Sequence, residues 1–345
     1  MCKNTINGSS SLLEALKKID SLSNESLTLF VLDDDNRVRG TVTDGDIRRY
    51  LVSGGKLSDS ISNAMHTNFS FIKEGEPCLV LKLREMKSRG ISLVPLLNTE
   101  GHIINIYDLS NYKSYLPIDA VLMAGGKGER LRPLTEKTPK PLLPVGDKAI
   151  IDHNVDRLIS YGVKHINVTV NYLAEQIEEH FMEPRSGVQV KCFREPKFLG
   201  TIGSIRYVTE LYNDVVLVMN SDVFTNLDFE DFYLHFKEHN ADMSVCAVPY
   251  SVKVPYGIFE IEGKRDIKGI VEKPTYDLSA NAGIYLIKRE LLDMIPADVM
   301  FHSTDLLSVA VEAGKKVIRF PLNGTWIDIG NSQEYKRANE LVGHM

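Results

Sequence analysis

Residues 121–146 read Val-Leu-Met-Ala-Gly-Gly-Lys-Gly-Glu-Arg-Leu-Arg-Pro-Leu-Thr-Glu-Lys-Thr-Pro-Lys-Pro-Leu-Leu-Pro-Val-Gly, and most of the 345-residue chain can be interpreted from them. A short apolar strand at 120–123 breaks into Gly125, Gly126 and Gly128. Glycines let a backbone approach a ligand closely and turn its amide groups toward an anion. Arg130 and Lys140 add two positive charges, and four prolines predict a rigid, extended, surface-facing arm. The stretch therefore predicts a clamp for a triphosphate.

Two common phosphate-binding motifs do not fit this stretch. Counted from Gly126, the dinucleotide pattern G-x-G-x-x-G ends on Leu131, and the Gly-Lys-Ser/Thr of the ATPase P-loop is missing. The complete pattern G-G-x-G-x-R-L-x-P-L-T-x-x-x-P-K-P-L-L-P-V resembles the signature of the sugar-1-phosphate nucleotidyltransferases, although Glu129 stands where that family usually has Thr. The alternative is a glycine turn in some other α/β domain. The resemblance implies that Arg130 and Lys140 are catalytic. It also implies that the nucleotide binds to the loop that contains Ala124, Gly125, Gly126 and Gly128.

Composition places the chain among ordinary globular proteins. Hydrophobic residues make up 43% and charged residues 25%, and the net charge of -6 gives no reason to expect nucleic-acid or membrane binding. Four scattered cysteines, at positions 2, 78, 192 and 246, indicate reduced thiols and not a disulfide framework or a zinc site. Residues 1–10 lack a signal-peptide core, so we expect a cytoplasmic protein.

The first third of the chain, residues 1–115, carries a helix–strand–turn–strand pattern twice. Predicted helices cover 12–19, 44–50 and 78–87, and predicted strands cover 28–32, 38–42, 92–97 and 102–106. The pattern resembles a tandem CBS pair, with Gly40, Thr43 and Asp46 on that family's G-x-x-T-x-x-D motif. The resemblance implies that Thr43 and Asp46 bind the ribose of a regulatory nucleotide, usually an adenine nucleotide. The second repeat lacks the Gly and the Thr, and the alternative is a structural dimerisation module without a ligand.

From residue 118 onward, strands and helices alternate, which is typical of a doubly wound α/β domain. Predicted helices cover 150–161, 173–181, 204–211 and 228–239, and predicted strands cover 166–170, 188–193, 215–219 and 243–248. The resemblance implies a Rossmann-like, mixed-sheet nucleotidyltransferase domain of GT-A-like type at 118–345. In such sheets, ligands lie beyond the carboxyl ends of the strands.

Two further stretches extend the predicted nucleotide site. The loop Glu195–Ser204 contains Gly200 and Thr201, which the resemblance places against the base; the alternative is that Thr201 caps a following helix. Asp222 follows the apolar strand 215–219, where a carboxylate is costly without a partner. The resemblance implies that Asp222 and Asp328 bind Mg²⁺, for which two carboxylates are suitable ligands. The alternatives are a turn residue for Asp222 and a helix cap for Asp328.

Three short motifs predict the sugar-phosphate site by resemblance. Tyr256-Gly257, Glu272-Lys273-Pro274 and Asn281-Ala282-Gly283 match the family's Y-G, E-K-P and N-A-G motifs. The resemblance implies that Gly257 and Asn281 lie beside the sugar, that Glu272 accepts hydrogen bonds from its hydroxyls and that Lys273 is catalytic and holds the phosphate. A Glu-Lys-Pro tripeptide is also common in surface turns.

One possible metal motif is set aside. His235 and His239 are spaced i, i+4 and satisfy H-x-x-E-H, but no third ligand is evident, so we interpret them as a solvated helix face.

The resemblance implies a reaction of an NTP with a sugar 1-phosphate, giving an NDP-sugar and pyrophosphate. The form P-K-P-L-L-P-V and the preceding CBS pair resemble mannose-1-phosphate and glucosamine-1-phosphate guanylyltransferases, the latter acting in nonulosonic acid synthesis. We therefore expect GTP, a hexose or hexosamine 1-phosphate, Mg²⁺ and a homo-oligomer. The alternatives are a uridylyl-, thymidylyl- or cytidylyltransferase, or a non-catalytic nucleotide-sugar sensor.

Overall fold

The computed structural model describes residues 3–22 and 26–342, and the chain divides into two compact units, Met1–Tyr115 and Leu116–Met345. Both units are α/β, and each has its own hydrophobic core. None of the helices within the described ranges combines the length and apolar character needed to cross a bilayer.

The first unit contains the same small sheet twice. Its elements are β1 (Thr5–Asn7), α1 (Leu12–Ser21), β2 (Thr28–Leu32), β3 (Val38–Thr43), α2 (Asp44–Val52), β4 (Ile72–Lys73), α3 (Leu79–Ser88), β5 (Leu93–Leu97) and β6 (Ile103–Asp108). In each sheet, the first strand is parallel to the second and the second is antiparallel to the third. The repeated helix–strand–turn–strand pattern predicted from the sequence is therefore confirmed.

The second unit is built on one large sheet. Its elements are β7 (Asp119–Met123), β8 (Pro144–Val145), β9 (Lys148–Ala149), α4 (Ile150–Ser160), β10 (His165–Val170), α5 (Ala174–His180), β11 (Val190–Arg194), β12 (Val215–Asn220), β13 (Val223–Thr225), α6 (Phe229–Glu238), β14 (Met243–Lys253), β15 (Ile258–Glu262), β16 (Asp266–Val271), β17 (Thr275–Lys288), α7 (Ser303–Glu312), β18 (Val317–Pro321), β19 (Trp326–Asp328) and α8 (Ser332–Val342).

The large sheet has seven strands in the order β11-β10-β7-β12-β17-β14-β18. The first four strands are parallel, and β17 is antiparallel to both of its neighbours, so the sheet is mixed as predicted. Residues 215–219 of β12 are all buried, which is typical of a central strand covered on both faces. Met123 pairs with Asn220, so the loops that follow β7 and β12 open at the same edge of the sheet.

A two-stranded extension projects from this sheet. The first half of β17 pairs with the second half of β14 along residues 249–253 and 275–279, and β15 and β16 form a hairpin between them. Most side chains of residues 249–280 are exposed. We refer to residues 249–280 as the β-arm.

The helix predicted at 204–211 is wrong. The chain forms a short 3-10 turn at Gly203–Tyr207 and then becomes extended at Val208. Ile205, Val208 and Thr209 are β-branched, and such side chains lose rotamer freedom in a helix. Val208 is also buried in the main core, which holds the chain in its extended path.

The extended arm predicted after the glycine loop is also wrong. The segment folds into three 3-10 turns, Glu129–Leu131, Leu134–Glu136 and Lys140–Leu142. Pro141 lies in the first turn of the last of these, where its missing amide hydrogen costs no helical hydrogen bond. The prolines therefore shape a compact loop that turns back onto the sheet edge.

Candidate active site

A cleft of about 590 Å³ lies at the carboxyl ends of β7 and β12. The predicted site residues that line it are Ala124, Gly125, Gly126, Gly128, Arg130, Lys140, Gly200, Thr201 and Asp222. Its volume is within the range of small-molecule sites, roughly 300–1,000 Å³. We refer to this cleft, lined by residues of 123–130, 140–141, 195–204 and 220–222 together with Thr169 and Gly330, as the glycine-loop cleft. The structure thus brings together three motifs that are separated by up to about a hundred residues in the sequence.

The glycine loop is fixed at its start by a hydrogen bond from the Ala124 amide to the Thr169 carbonyl, 2.9 Å long. Gly125 then lies directly against the side chain of Glu195. A Cβ atom at Gly125 would be 2.5 Å from Oε1 of Glu195, so a side chain there would collide with the carboxylate. Glycine at this position lets the Glu195 carboxylate lie close to the loop backbone.

Lys140 and Asp222 form an ion pair at the floor of the cleft. The Lys140 ammonium donates to Oδ2 of Asp222, and Lys140 is only 8% exposed. The expectation that Lys140 lies on a surface-facing loop is therefore wrong, because the 3-10 turn at Lys140–Leu142 turns this side chain inward. The second carboxylate oxygen of Asp222, Oδ1, is buried and has no hydrogen-bond partner within the described residues. A buried, unpaired carboxylate oxygen is costly unless a ligand satisfies it.

Asp328 is held beside Asp222 by strand pairing. β19 is antiparallel to β13, with Asp328 opposite Val223, and the Ile329 amide donates to the Asp222 carbonyl. Burial raises the pKa of the Asp328 carboxyl, and the nearby Asp222 carboxylate raises this pKa further, against the opposing effect of Lys140 and Arg130. Two carboxylates that repel each other, one with a free buried oxygen, have the chemistry of a hard divalent cation site.

Arg130 reaches the same strand end from the glycine loop. A Cβ atom at Gly330 would be 3.0 Å from Nη2 of Arg130, so the guanidinium lies over this glycine. A single apolar cluster holds both segments, because Leu131 and Ile329 pack together in it. Arg130, Lys140 and Asp222 therefore line one end of the glycine-loop cleft, and Asp328 lies near them without lining the cleft.

Thr201 does not cap a helix that follows it, which was the alternative interpretation. Its Oγ1 accepts a hydrogen bond of 2.9 Å from the amide of Ser303, the first residue of α7. Gly200 has φ of +81°, and a Cβ atom there would be 2.6 Å from the Phe301 carbonyl oxygen. The loop is thus pinned against the start of α7 while it lines the glycine-loop cleft.

Glu195 lines the cleft and was not singled out as a site residue in the sequence. Its side chain is buried, and Oε2 accepts a hydrogen bond of 3.1 Å from the Leu199 amide. Burial raises the pKa of Glu195, and the Leu199 amide opposes this effect only in part. The available signal was its position, since Glu195 follows the last residue of β11, and ligands in such sheets lie beyond strand ends.

The predicted sugar-phosphate residues lie on or beside the β-arm and do not line the glycine-loop cleft. Gly257 contacts Glu272, since a Cβ atom at Gly257 would be 2.9 Å from Oε2 of Glu272. Lys273 is exposed, and its Nζ lies 3.9 Å from Oε1 of Glu272. Asn281 donates to the Tyr285 hydroxyl over 2.7 Å and accepts from the Gly283 amide. Their role in binding a sugar phosphate stays a prediction.

The comparison of this chain with known families agrees with the geometry of the cleft. The profile of the family described as nucleotidyl transferase matches residues 119–344, which include every residue of the glycine-loop cleft. The chain belongs to the nucleotidyl transferase family. The profile of the CBS domain matches residues 4–53, the first of the two repeats in the first unit.

Relatives of this nucleotidyl transferase include two vertebrate proteins. Mannose-1-phosphate guanyltransferase beta-B of Xenopus laevis is 32% identical over 225 residues, which are 63% of this chain and 62% of the relative. Mannose-1-phosphate guanylyltransferase catalytic subunit beta of Danio rerio is 31% identical over 224 residues, with the same coverage of 63% and 62%. The match thus spans about three fifths of the length of these relatives.

A solved structure has the same fold as the nucleotidyl transferase unit. HddC from Yersinia pseudotuberculosis, crystallised with GMP-PN, superposes with a TM-score of 0.52 at 25% identity. The similarity covers 65% of this chain and 99% of HddC.

In the first unit, within the residues that match the CBS domain, Thr43 and Asp46 form a helix cap. The amide and hydroxyl of Thr43 both donate to Oδ2 of Asp46, and Arg49 and His66 contact Oδ1. Burial opposes ionisation of Asp46, but the hydrogen bonds from Thr43 and His66 outweigh it and hold the pKa of Asp46 below its ordinary value. Both carboxylate oxygens are thus engaged at the start of α2, and a bound ribose would have to share or replace these bonds.

The remaining candidate metal ligands do not form a site. The rings of His235 and His239 stack with centroids 4.2 Å apart, and the described residues contain no group of three or more His, Cys, Asp or Glu that could hold a metal ion. Cys78, Cys192 and Cys246 are free thiols, and Cys2 lies outside the described residues. Burial raises the pKa of Cys192 and of Cys246 to about 12, so neither is a reactive thiolate near neutral pH.

Proposed function

We propose that the chain transfers a nucleoside monophosphate from GTP to a sugar 1-phosphate, giving a GDP-sugar and pyrophosphate. The observation that supports this proposal most directly is the environment of the two carboxylate oxygens of Asp222. One of its oxygens is bound by Lys140, and the other is buried at the floor of a glycine-lined cleft and has no hydrogen-bond partner in the described part of the chain. A nucleotide-sugar sensor would not need this arrangement, whereas a phosphoryl-type transfer needs dense, preorganised charge at the reacting phosphate.

In the proposed reaction, an oxygen of the sugar phosphate attacks the α-phosphorus of GTP in line. The bond between the α-phosphorus and its bridging oxygen breaks, and pyrophosphate leaves with the electron pair. No covalent enzyme intermediate is required, so the protein contributes positioning and neutralisation of charge. The amides of Gly125, Gly126 and Gly128 face the triphosphate, and Arg130 neutralises the departing pyrophosphate.

Lys140 has two tasks in this scheme. It fixes the Asp222 carboxylate through Oδ2, and it adds a positive charge next to the phosphates. Asp222 and Asp328 are the residues that would hold Mg²⁺, for which the free Oδ1 and the raised pKa of Asp328 are the structural support. When bound, the metal supplies positive charge to the α-phosphate.

Glu195 supports guanine as the base. An ionised carboxylate only accepts hydrogen bonds, and guanine presents two neighbouring donors, N1–H and the N2 amine, on its Watson–Crick edge. Uracil and thymine present one donor between two carbonyl oxygens, which a carboxylate would repel. The buried Glu195 side chain beside Gly125 is therefore proposed to pair with guanine. The names of the guanyltransferase relatives and the guanine nucleotide held by HddC point in the same direction.

The sugar 1-phosphate is proposed to bind between the cleft and the β-arm. Lys273 would align the phosphate nucleophile, Glu272 would accept hydrogen bonds from sugar hydroxyls, and Gly257 and Asn281 would border the sugar. We propose a hexose or hexosamine, with mannose 1-phosphate and glucosamine 1-phosphate as the first candidates. The CBS pair is proposed to dimerise the chain and to bind a regulatory nucleotide at Thr43 and Asp46.

The test is a pyrophosphate-release assay on the full chain with Mg²⁺. Each of GTP, ATP, UTP, CTP and dTTP is paired with mannose, glucose and glucosamine 1-phosphates. The proposal expects release only when both substrates are present, and a kcat/KM for GTP at least about tenfold above that for UTP, about 1.4 kcal/mol. An equal kcat/KM for UTP and GTP would contradict the proposed preference for GTP but not the proposed nucleotidyl transfer. If no pair releases pyrophosphate while GTP still binds, the sensor alternative holds.

A further inference from the structure

A second cavity, of about 770 Å³, opens at the other end of the large sheet, where β12 begins and β17 ends. We refer to this cavity, lined by residues of 205–215, 236–237 and 288–293, as the distal cavity. Its floor is apolar and belongs to the packed core, with Val208, Val215 and Leu292 among the buried side chains and Phe236 beside them. None of these residues has a role in the proposed nucleotidyl transfer.

The walls of the distal cavity carry four cations, Arg206, Lys237, Lys288 and Arg289. Lys237 lies on α6, is exposed and has no carboxylate within 4.0 Å in the part of the chain that the structure describes. The Lys288 ammonium donates over 2.7 Å to Asp242, which lies outside the cavity lining. Four positive charges thus surround one apolar floor.

Three acids also border the distal cavity, and two of them pair with its arginines. Asp293 pairs with Arg206 at 3.0 Å and Asp214 pairs with Arg289 at 3.5 Å. The side chains of Asp214, Glu290 and Asp293 are 64–97% exposed, whereas those of Arg206, Lys288 and Arg289 are 34–45% exposed. The side chains of the three acids are therefore more exposed than those of Arg206, Lys288 and Arg289. An anion that enters the cavity would lie next to the cations of its wall. Exposed ion pairs contribute little free energy, so the anion could replace the acids as the partner of these cations.

Two elements join the distal cavity to the glycine-loop cleft. In the 3-10 turn Gly203–Tyr207, Ser204 lines the cleft, while the next two residues, Ile205 and Arg206, line the distal cavity. β12 starts at the distal cavity with Val215 and ends at the cleft with Asn220, about 17 Å away at roughly 3.3 Å per residue. A ligand at one end therefore contacts elements that form the other.

We propose that the distal cavity binds a small organic phosphate, with an apolar or aromatic body on the floor and the phosphate among the four cations, and that its binding alters nucleotide affinity in the glycine-loop cleft. Arginine and lysine together favour phosphate, because guanidinium groups bind its oxygens in pairs and ammonium groups add charge. The apolar floor distinguishes this ligand from inorganic phosphate. Binding in the distal cavity changes nucleotide affinity in the cleft if the ligand binds more tightly to one arrangement of the turn Gly203–Tyr207 than to another.

The probe for the test is phenyl phosphate, which combines an aromatic ring with a phosphate dianion. Calorimetry on the full chain measures its binding whether or not the chain catalyses nucleotidyl transfer. The variants are Lys237→Glu in the cavity wall and, as a matched control, Lys164→Glu, an exposed charge reversal outside both sites. We expect one binding event in the wild type, weakened at least about fivefold in Lys237→Glu and unchanged in Lys164→Glu. Phenol and inorganic phosphate should each bind more weakly than phenyl phosphate.

A third variant, Lys273→Ala, distinguishes binding of phenyl phosphate in the distal cavity from binding at the predicted sugar-phosphate site. The proposal expects it to bind phenyl phosphate as the wild type does. Affinity that falls in Lys273→Ala and not in Lys237→Glu would place the probe at the β-arm and overturn the distal site, as would the absence of binding at millimolar concentration. For the coupling, the KM for GTP should change at least about twofold with phenyl phosphate in the wild type and stay constant in Lys237→Glu. Binding in the distal cavity with no change in KM or kcat would overturn the coupling.

Discussion

Lys140 and Asp222 lie 82 positions apart in the sequence and form an ion pair at the floor of the glycine-loop cleft. The pair joins the turn after the glycine loop to the end of β12, so the two motifs are held in one geometry before any ligand binds. Because Lys140 occupies only Oδ2, it leaves Oδ1 of Asp222 free for a cation. In this account, the lysine positions the carboxylate as well as contributing charge.

Replacing Lys140 with methionine preserves the approximate length of the side chain and removes its charge. We expect kcat to fall at least about 10²-fold, in line with the loss of one preorganised electrostatic group. Stability should also fall, by about 1–3 kcal/mol, because the Asp222 carboxylate loses its partner in a buried setting. Steady-state kinetics and thermal unfolding measure the two effects. Lys137→Met, an exposed change in the same segment, is the control, and turnover in Lys140→Met equal to that of Lys137→Met would remove Lys140 from the site.

Replacing Glu195 with glutamine tests whether this side chain recognises guanine through hydrogen bonds. Inosine triphosphate lacks the N2 amine, so the wild type should prefer GTP over ITP by about 1–3 kcal/mol, the value of a good paired contact to a base. In Glu195→Gln, the side-chain amide can no longer accept both guanine bonds, and the ratio of kcat/KM for GTP to that for ITP should approach one. A ratio that is unchanged by the mutation would assign guanine recognition to other groups.

The same substitution should change stability in a pH-dependent way. Burial raises the pKa of Glu195 above its ordinary value of 4.5, so in the folded protein the carboxyl holds its proton to higher pH than in the unfolded chain. Its ionisation therefore costs folding free energy above the raised pKa and costs none below pH 4.5. Relative to the wild type, Glu195→Gln should gain stability as pH rises through this window and keep that gain at neutral pH. Thermal unfolding between acidic and neutral pH measures the difference, and a constant difference would contradict the raised pKa.

In the first unit, replacing Asp46 with alanine should act first on folding. The substitution removes one side of the capping box with Thr43 and leaves the Thr43 amide without its acceptor, which should cost about 1–2 kcal/mol. Thermal unfolding measures this loss. Titration of adenine and guanine nucleotides against the wild type and Asp46→Asn, which keeps the size of the side chain, tests the ligand role separately. Equal binding by both proteins would place the nucleotide elsewhere.

Much of the fold could be predicted because its signals are local. The apolar run at 215–219, the glycines after β7 and the repeated pattern of the first unit each depend on neighbouring residues, and the structure places them as expected. The helix predicted at 204–211 was wrong because tertiary contacts of Val208 outweighed its pattern. Similarly, the prolines at 133–144 were interpreted as an extended arm, but they allow tight turns equally well.

Some of the residues that line the glycine-loop cleft could be predicted from the sequence, but their contacts could not. The motifs identified Lys140 and Asp222 separately, yet nothing in the sequence indicates that they pair or that Oδ1 of Asp222 is buried. Glu195 was not predicted as a site residue because its place in the cleft depends on its contact with Gly125. The two residues follow different strands, β7 and β11, and are distant in the sequence. Such relationships arise only when β7, β11 and β12 are brought together in one sheet.

The proposed nucleotidyl transfer can be tested by following the α-phosphorus of GTP. GTP labelled at that phosphorus is incubated with the sugar 1-phosphate and Mg²⁺, and the products of the wild type and of Asp222→Asn are compared, with Asp147→Asn as an exposed control. We expect label in a GDP-sugar and none in pyrophosphate for the wild type and the control, with formation at least about 10²-fold slower in Asp222→Asn. Label released as GMP, or a GDP-sugar formed equally fast by Asp222→Asn, would contradict this expectation.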